Sequence, residues 1–362
     1  MKRILIFHNQ LWSQYKSCIF EGLNQRLENG QLMVLQTSIC EETRKDLVDF
    51  DQHTYPYKYP YKLLNNQTLE KCNPIHTMIS WLSWIVRFKP HAVNLTGYSE
   101  LGTLPVLLIC KVLGIKTYIT NESVLGNQHK KKGFLLWFKF RYKRLLFSLT
   151  TGFFSYGINS NLFLFYHGVP KYKIQFFLNS FDKSKFLNTK DELSISPTKK
   201  YILFVGRLSP EKNLEAIVGL GKYIQSNQLL FEVIVIGDGP LKKEFLTQIL
   251  DLPIIYQGSV RWNDLAVYYK NASALFLPSI IEPWGMVANE AQELGIPVIC
   301  SKSCGCADDL VISNFSGLVL EDLDYRLMFN FIDRYFNKEF INKNATIFSL
   351  ERLIDSMRNS LA

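Results

Sequence analysis

Short apolar runs alternate with longer stretches of helical periodicity along nearly the whole chain, and this alternation limits the fold more than any other feature. Runs apolar at every position suit parallel strands buried on both faces, and parallel neighbours need a helical crossover between them. The first half carries "RILIFHN", "LMVLQT", "HAVNLTG", "KTYITNES", "TGFFSYG" and "IQFFLNS". The second carries "KYILFVGRL", "FEVIVIGDG", "IIYQGS", "ALFLPS", "IPVICS" and "GLVLE". Two such series predict an α/β protein with two doubly wound, Rossmann-like sheets. A length of 362 residues, 47% of them hydrophobic, exceeds one ordinary core and is enough for two.

Between the series, "DKSKFLNTKDELSISPTKK" is polar, charged and broken by a proline, as a linker is. The expected domains are therefore 1–190 and 191–340. The tail from Asp322 to Leu361 reads as helix. Its last part, "SLERLIDSMRNSL", sets Leu350, Leu353, Ile354 and Met357 on one apolar face, so 341–362 is expected to pack back on the first domain. "MKRILIFHNQ" reads as a strand rather than a signal peptide, and no run is long enough to span a membrane. Seven cysteines without CxxC spacing fit reduced thiols in a cytoplasmic setting, and Cys304 with Cys306 is too sparse a set for zinc.

The net charge of +9 is unevenly placed. Residues 1–190 hold 25 Lys and Arg against 11 Asp and Glu, whereas 191–362 hold 16 against 21. A basic partner surface therefore belongs to the first half.

Doubly wound sheets bind ligands beyond the carboxyl ends of their strands, and the informative motifs stand there. After "YILFV" comes "GRLSPEKNL". Gly206 allows close approach to the backbone, and Arg207 and Lys212 supply two cations near a helix start, a combination suited to a diphosphate. A surface loop with solvated charges is the alternative. "GDGP" at 237–240 is a tight turn of low specificity. In "FLPSIIEPWGMVANEAQELGIPV", Pro283 and Gly285 place a helix start near Met286. Glu282 then lies on the loop before that helix, and Glu290 about one turn inside it. One ligand can be held between them, its phosphates over the backbone of Trp284, Gly285, Met286 and Val287 and its hydroxyls on the two carboxylates. The alternative is a helix-capping charge and an unrelated solvated glutamate.

Together, "VGRLSPEKN", "VIGDGPL", "LFLPSIIEPWGMVANEAQELGIPVICS" and "NFSGLVL" resemble the donor half of the retaining glycosyltransferases of family 4, which have the GT-B fold and an E-x7-E motif. The resemblance implies two facing Rossmann-like domains with a central crevice. It implies that Glu282, Arg207 and Lys212 are catalytic. Gly206, the 284–287 backbone and Glu290 would bind the donor, with Glu290 on the ribose. It implies no metal and no cofactor beyond a nucleotide diphosphate sugar as donor substrate.

The first half departs from the family. "FHNQLWSQYKSCIFEGL" has no Gly-Gly pair, which leaves His8, Asn9, Gln10 and Tyr15 as acceptor candidates. Where the family often has a histidine, "TYITNES" offers Asn121 and Glu122. "KKKGFLLWFKFRYKRLLFSL" has seven basic and no acidic residues among many aromatics, which suits an anionic membrane surface. Its contact candidates are Lys130, Lys131, Lys132, Trp137, Lys139, Arg141, Lys143 and Arg144. An amphipathic helix packed on the sheet, or a basic groove for an acidic glycan, are the alternatives. No nucleic-acid-binding module accompanies the charge.

The expected protein is thus a retaining glycosyltransferase, peripheral on the inner face of the cell membrane. It would use a nucleotide sugar donor and a glycan or lipid-linked acceptor, in surface polysaccharide or lipopolysaccharide synthesis. The rivals are a catalytically silent nucleotide-sugar-binding subunit and a nucleotide-sugar epimerase of the same fold.

Overall fold

The computed structural model describes residues 2–11, 14–28, 30–42, 57–125, 133–187, 199–312, 316–336 and 350–361. The chain divides into two compact units, Met1–Phe181 with Phe348–Ala362, and Asp182–Ile347. They part in sequence at Phe181/Asp182, at the start of the expected linker.

The first unit holds strands β1 (Ile4–Gln10), β2 (Leu32–Ser38), β3 (Tyr61–Leu63), β4 (Ala92–Leu95), β5 (Lys116–Asn121), β6 (Gly152–Tyr156) and β7 (Ile174–Phe177). All pairs are parallel, in the order β3-β2-β1-β4-β5-β6-β7. Its helices are α1 (Gln14–Gln25), α2 (Pro74–Phe88), α3 (Thr103–Val112), α4 (Phe134–Leu149) and α5 (Gly157–Tyr166). α2 shows how local chemistry sets an end: Asn73 Oδ1 accepts the N–H groups of Ile75 and His76, at 2.9 and 3.2 Å, and Pro74 needs no partner at the first position.

The second unit holds β8 (Lys200–Val205), β9 (Phe231–Ile236), β10 (Ile254–Gly258), β11 (Ala274–Leu277), β12 (Val298–Ser301) and β13 (Gly317–Leu320), also all parallel, in the order β10-β9-β8-β11-β12-β13. Its helices are α6 (Lys183–Leu187), α7 (Leu214–Ser226), α8 (Lys242–Gln248), α9 (Leu265–Lys270), α10 (Met286–Glu293) and α11 (Tyr325–Phe336). In each sheet the strand order reverses beside the first strand, at β1/β4 and at β8/β11. These are the topological switch points where doubly wound folds bind ligands.

Each apolar run of the sequence is a strand, and β3, a three-residue edge strand, is an addition. Among the described residues the tail carries two helices. α11 belongs to the second unit, and α12 (Leu350–Leu361) belongs to the first. Leu353, Ile354, Met357 and Leu361 of α12 join Ile19, Phe20 and Leu23 of α1 in the core on one sheet face. Gly22 makes this possible, because a Cβ there would overlap Ile354. Arg26 pairs with Asp355 at 2.6 Å across the same contact. The opposite face is covered by α2, α3, α4 and α5 through Trp81, Ile85, Val106, Leu107, Leu146, Phe147, Phe163 and Leu164.

Candidate active site

In the second unit the site begins where β8 ends. The Gly206 N–H donates to the Ile236 carbonyl at 3.0 Å, so the loop leaves the sheet only after this residue. A Cβ at Gly206 would find Phe204 Cζ at 3.2 Å and Lys212 Cε at 3.8 Å. Internal packing therefore nearly accommodates a side chain there. "GDGP" has a different reason for its glycines: Gly237 has φ 139° and a Cβ on it would overlap the Gly206 carbonyl, while one on Gly239 would overlap Leu208. The turn is thus pressed backbone to backbone against the β8 loop, and Leu208 N–H donates to the Asp238 carbonyl at 3.0 Å. These contacts hold the segment bearing Arg207 and Lys212.

The same segment is tied to the loop after β11. Ile280 N–H donates to the Glu211 carbonyl at 2.8 Å, and Asn213 Nδ2 to the Pro278 carbonyl at 3.2 Å. This brings Lys212 Nζ onto Glu282 Oε2 in an ion pair, with Ser279 Oγ donating to the same oxygen at 3.4 Å. Glu282 is only 8% exposed. Its main chain is pinned by Gly305, whose N–H donates to the Glu282 carbonyl at 2.8 Å and which has no room for a Cβ beside the Pro283 carbonyl. Cys304 and Cys306 are buried in that loop, and no group of three possible metal ligands occurs among the described residues.

Gly285 starts α10 with φ 92°, a left-handed conformation that only glycine adopts without strain. It offers no side-chain cap, so none of its own atoms covers the start of the helix at Met286 and Val287. Trp284 is buried, its Nε1 donating to Asn289 Oδ1 at 2.7 Å. Arg207 is half-buried, and its Nε is enclosed without a hydrogen-bond partner among the described residues. Glu290 is fully buried: Trp262 Nε1 donates to one carboxylate oxygen at 2.7 Å and the Tyr269 hydroxyl to the other at 2.8 Å. The helix start, Glu282 and Lys212 are therefore together, while Glu290 faces two aromatic donors that sequence reasoning missed.

The first unit has its own polar centre. His8, Gln36, Asn94, Thr120 and Tyr156 alternate with apolar residues along their strands, which sets them on the sheet face covered by α1. His8 and Gln36 are joined at 2.8 Å through Nδ1 and Oε1, and Gln36 Nε2 donates to the Tyr59 hydroxyl at 3.2 Å. Burial lowers the His8 pKa to about 4 despite the Gln36 bond, so the ring is neutral at pH 7. Lys16 of α1 forms an ion pair with Glu122 and lies 4.2 Å from the Tyr156 ring centroid. Burial alone would lower the Lys16 pKa and raise that of Glu122, but their mutual attraction outweighs it and both charged forms are favoured.

Of the acceptor candidates, His8 and Glu122 thus share one centre. Asn121 does not: its Nδ2 donates to Ser160 Oγ at 2.6 Å and fastens α5 to β5. Asn9 accepts Ser38 Oγ through its carbonyl at 2.7 Å, and Gln10 and Tyr15 are half-buried. Lys16, Gln36, Tyr59 and Tyr156 were not singled out from sequence, although strand alternation alone puts Gln36 and Tyr156 on the His8 face.

Lys130, Lys131 and Lys132 lie outside the described residues. The first turns of α4 expose Phe134 by 80%, Leu135 by 73%, Trp137 by 58% and Phe138 by 59%. Lys139, Arg141 and Arg144 are exposed with them. Lys143 departs from the expectation of a surface cation, since it turns inward over the Phe163 ring at 5.0 Å, and burial followed by Lys139 lowers its pKa. Among the described residues no helix is long and apolar enough to cross a membrane.

Residues 186–347 match the model of the Glycosyl transferases group 1 family. The matched stretch falls in the unit that carries the Lys212–Glu282 pair. Among curated relatives, a GDP-mannose-dependent alpha-mannosyltransferase of Corynebacterium glutamicum is 30% identical over 36% of this chain and 30% of its own length. The O-antigen chain mannosyltransferase RfbU of Salmonella typhimurium is 29% identical over 41% of this chain and 40% of its own. The chain thus spans less than half the length of the curated relatives it matches. The fold extends further. Sucrose-phosphate synthase of Thermosynechococcus elongatus superposes with a TM-score of 0.76 at 16% identity, over 99% of this chain and 98% of that one. WaaG, a glycosyltransferase involved in lipopolysaccharide biosynthesis, gives 0.71 at 14% identity over 99% of each. HepE of Anabaena, in complex with UDP and glucose, gives 0.70 at 16% identity over 100% and 99%. The fold class is GT-B, with two Rossmann-like parallel sheets.

Proposed function

We propose that the chain is a retaining glycosyltransferase that moves a sugar from a nucleoside diphosphate sugar to a glycan or lipid-linked acceptor in surface polysaccharide synthesis. The observation that carries this is the Lys212–Glu282 pair at the head of α10, beside an Arg207 whose Nε lacks a partner among the described residues. A diphosphate would take Lys212 and Arg207, and the transferred sugar's hydroxyls would take the Glu282 carboxylate so released. Glu290 would receive the ribose hydroxyls in exchange for the Trp262 N–H.

As the bond between the sugar and the leaving phosphate breaks, negative charge grows on the phosphate, and the two cations stabilise it more than in the ground state. The acceptor oxygen bonds to the same face of the sugar carbon, and its proton passes to the departing phosphate oxygen. These cations do the electrostatic work of a divalent ion, so no metal is needed. His8 and Glu122 belong to the acceptor side. The exposed apolar start of α4, with Lys139, Arg141 and Arg144, suits docking on the anionic cytoplasmic face of a membrane.

The first unit's departures, with no Gly-Gly pair after its first strand and Asn121 and Glu122 in place of a histidine, favour one second function, a nucleotide-sugar-binding subunit without turnover. Turnover of radiolabelled nucleotide sugars on membrane-extracted acceptors separates the two. Transfer that disappears in Glu282→Ala supports the transferase; full transfer in that variant removes Glu282 from the site. Flotation with phosphatidylglycerol vesicles, reduced in Trp137→Ala and in the double variant Lys139→Gln, Arg141→Gln, supports the docking face, and unchanged flotation removes it.

A further inference from the structure

Resting on the transferase function above, we propose that Lys16 recognises an oxyanion, carboxylate or phosphate, carried by the acceptor glycan, and that Glu122 holds that anion's place until it arrives. The pair joins residues 106 positions apart, one in the first turn of α1 and one directly after β5, over the polar sheet face that holds His8 and Gln36. A purely structural role is a poor explanation, since a half-buried ion pair contributes little that apolar packing would not.

The two partners are not equivalent. The Lys16 side chain is 16% exposed and that of Glu122 43%. The carboxylate is therefore the wetter partner and the cheaper to release. Lys16 keeps a seat without it, because its ammonium stays over the Tyr156 ring at 4.2 Å, and Tyr156 is 3% exposed. Among the described residues, His8 beside it adds no second anion, being neutral and bonded to Gln36, which in turn donates to Tyr59. A half-buried cation with an exchangeable anion and a fixed aromatic support is built to trade partners. On exchange, Glu122 is freed to accept a hydroxyl of the sugar that bears the incoming oxyanion.

The test is calorimetric titration of the full chain with D-glucuronate, D-glucose 6-phosphate and neutral D-glucose at fixed ionic strength, in wild type, Lys16→Met and Glu122→Gln. At least one anionic sugar should bind wild type more tightly than glucose does. It should lose about tenfold or more in Lys16→Met and gain roughly threefold to tenfold in Glu122→Gln, where the competing carboxylate is gone. The anion that binds names the acceptor's acid group. Equal binding in wild type and Lys16→Met, or weaker binding in Glu122→Gln, overturns the proposal, as does binding of neither anion. If Lys16→Met fails to fold, the direction of the Glu122→Gln change decides alone. A parallel titration with UDP and GDP keeps the two inferences apart. Loss of nucleotide binding in every protein would defeat the donor site, while the response to anionic sugars would still stand or fall by Lys16 and Glu122.

Discussion

Both units place a lysine from just after their first strand against a glutamate from across the switch point, yet the two pairs sit in different surroundings. In the second unit Lys212 and Glu282 have side chains 17% and 10% exposed, and the main chain around them is locked by glycines that admit no side chain. In the first unit Glu122 is much wetter, and the support is aromatic and neutral, from Tyr156 and His8. A rigid cradle of backbone suits a ligand of constant shape, such as a nucleoside diphosphate. A seat built from side chains, with a carboxylate that is wet and releasable, suits the proposed acceptor.

The largest effect should come from removing the second pair. Glu282→Gln keeps the shape but gives up the charge, and transfer should fall by roughly 10²-fold or more, measured as initial rate at saturating donor. An unchanged rate would erase the contrast between the pairs.

Next comes acid. His8 has a folded pKa of about 4 against 6.5 when free, so the unfolded chain binds the proton more readily. The stability this contributes is complete above about pH 6.5 and is lost as pH falls to about 4, amounting to about 3 kcal/mol. Urea unfolding of wild type and His8→Gln across that range should show a steeper decline for wild type; parallel curves would mean that His8 does not titrate as a buried neutral ring.

A smaller effect sharpens the contrast within the second unit. Gly305→Ala forces a Cβ into the Pro283 carbonyl and should destabilise by about 1–3 kcal/mol in thermal unfolding. Gly206→Ala meets only the edge of Phe204 and the stem of Lys212, so it should leave stability within about 1 kcal/mol while weakening nucleotide binding severalfold. The reverse order would mean that the two glycines had been assigned the wrong reasons.

Most of the strands are legible because a strand buried between helix layers must be apolar on both faces, and such runs stand out. β3 is not, because it is three residues at a sheet edge with two of them exposed. In the tail the amphipathic period reveals helix and an apolar face, but not the division between α11, packed in the second unit's core, and α12, packed in the first's. Spacing reveals Glu282 and the start of α10, since proline and glycine constrain the backbone locally. It cannot reveal that Glu282 lies on Lys212, seventy positions away, or that Trp262 and Tyr269 enclose Glu290. The first-unit centre is legible only in fragments, because its members come from separate strands and a helix, with no common motif.

The most direct measurement is calorimetric titration of the full chain with UDP and GDP sugars in the absence of metal, in wild type, Lys212→Met and Lys16→Met. One nucleotide sugar should bind wild type and Lys16→Met alike and lose at least about tenfold in Lys212→Met. Binding of no nucleotide sugar, or binding indifferent to Lys212, would contradict the assignment of the second unit's pair to the donor.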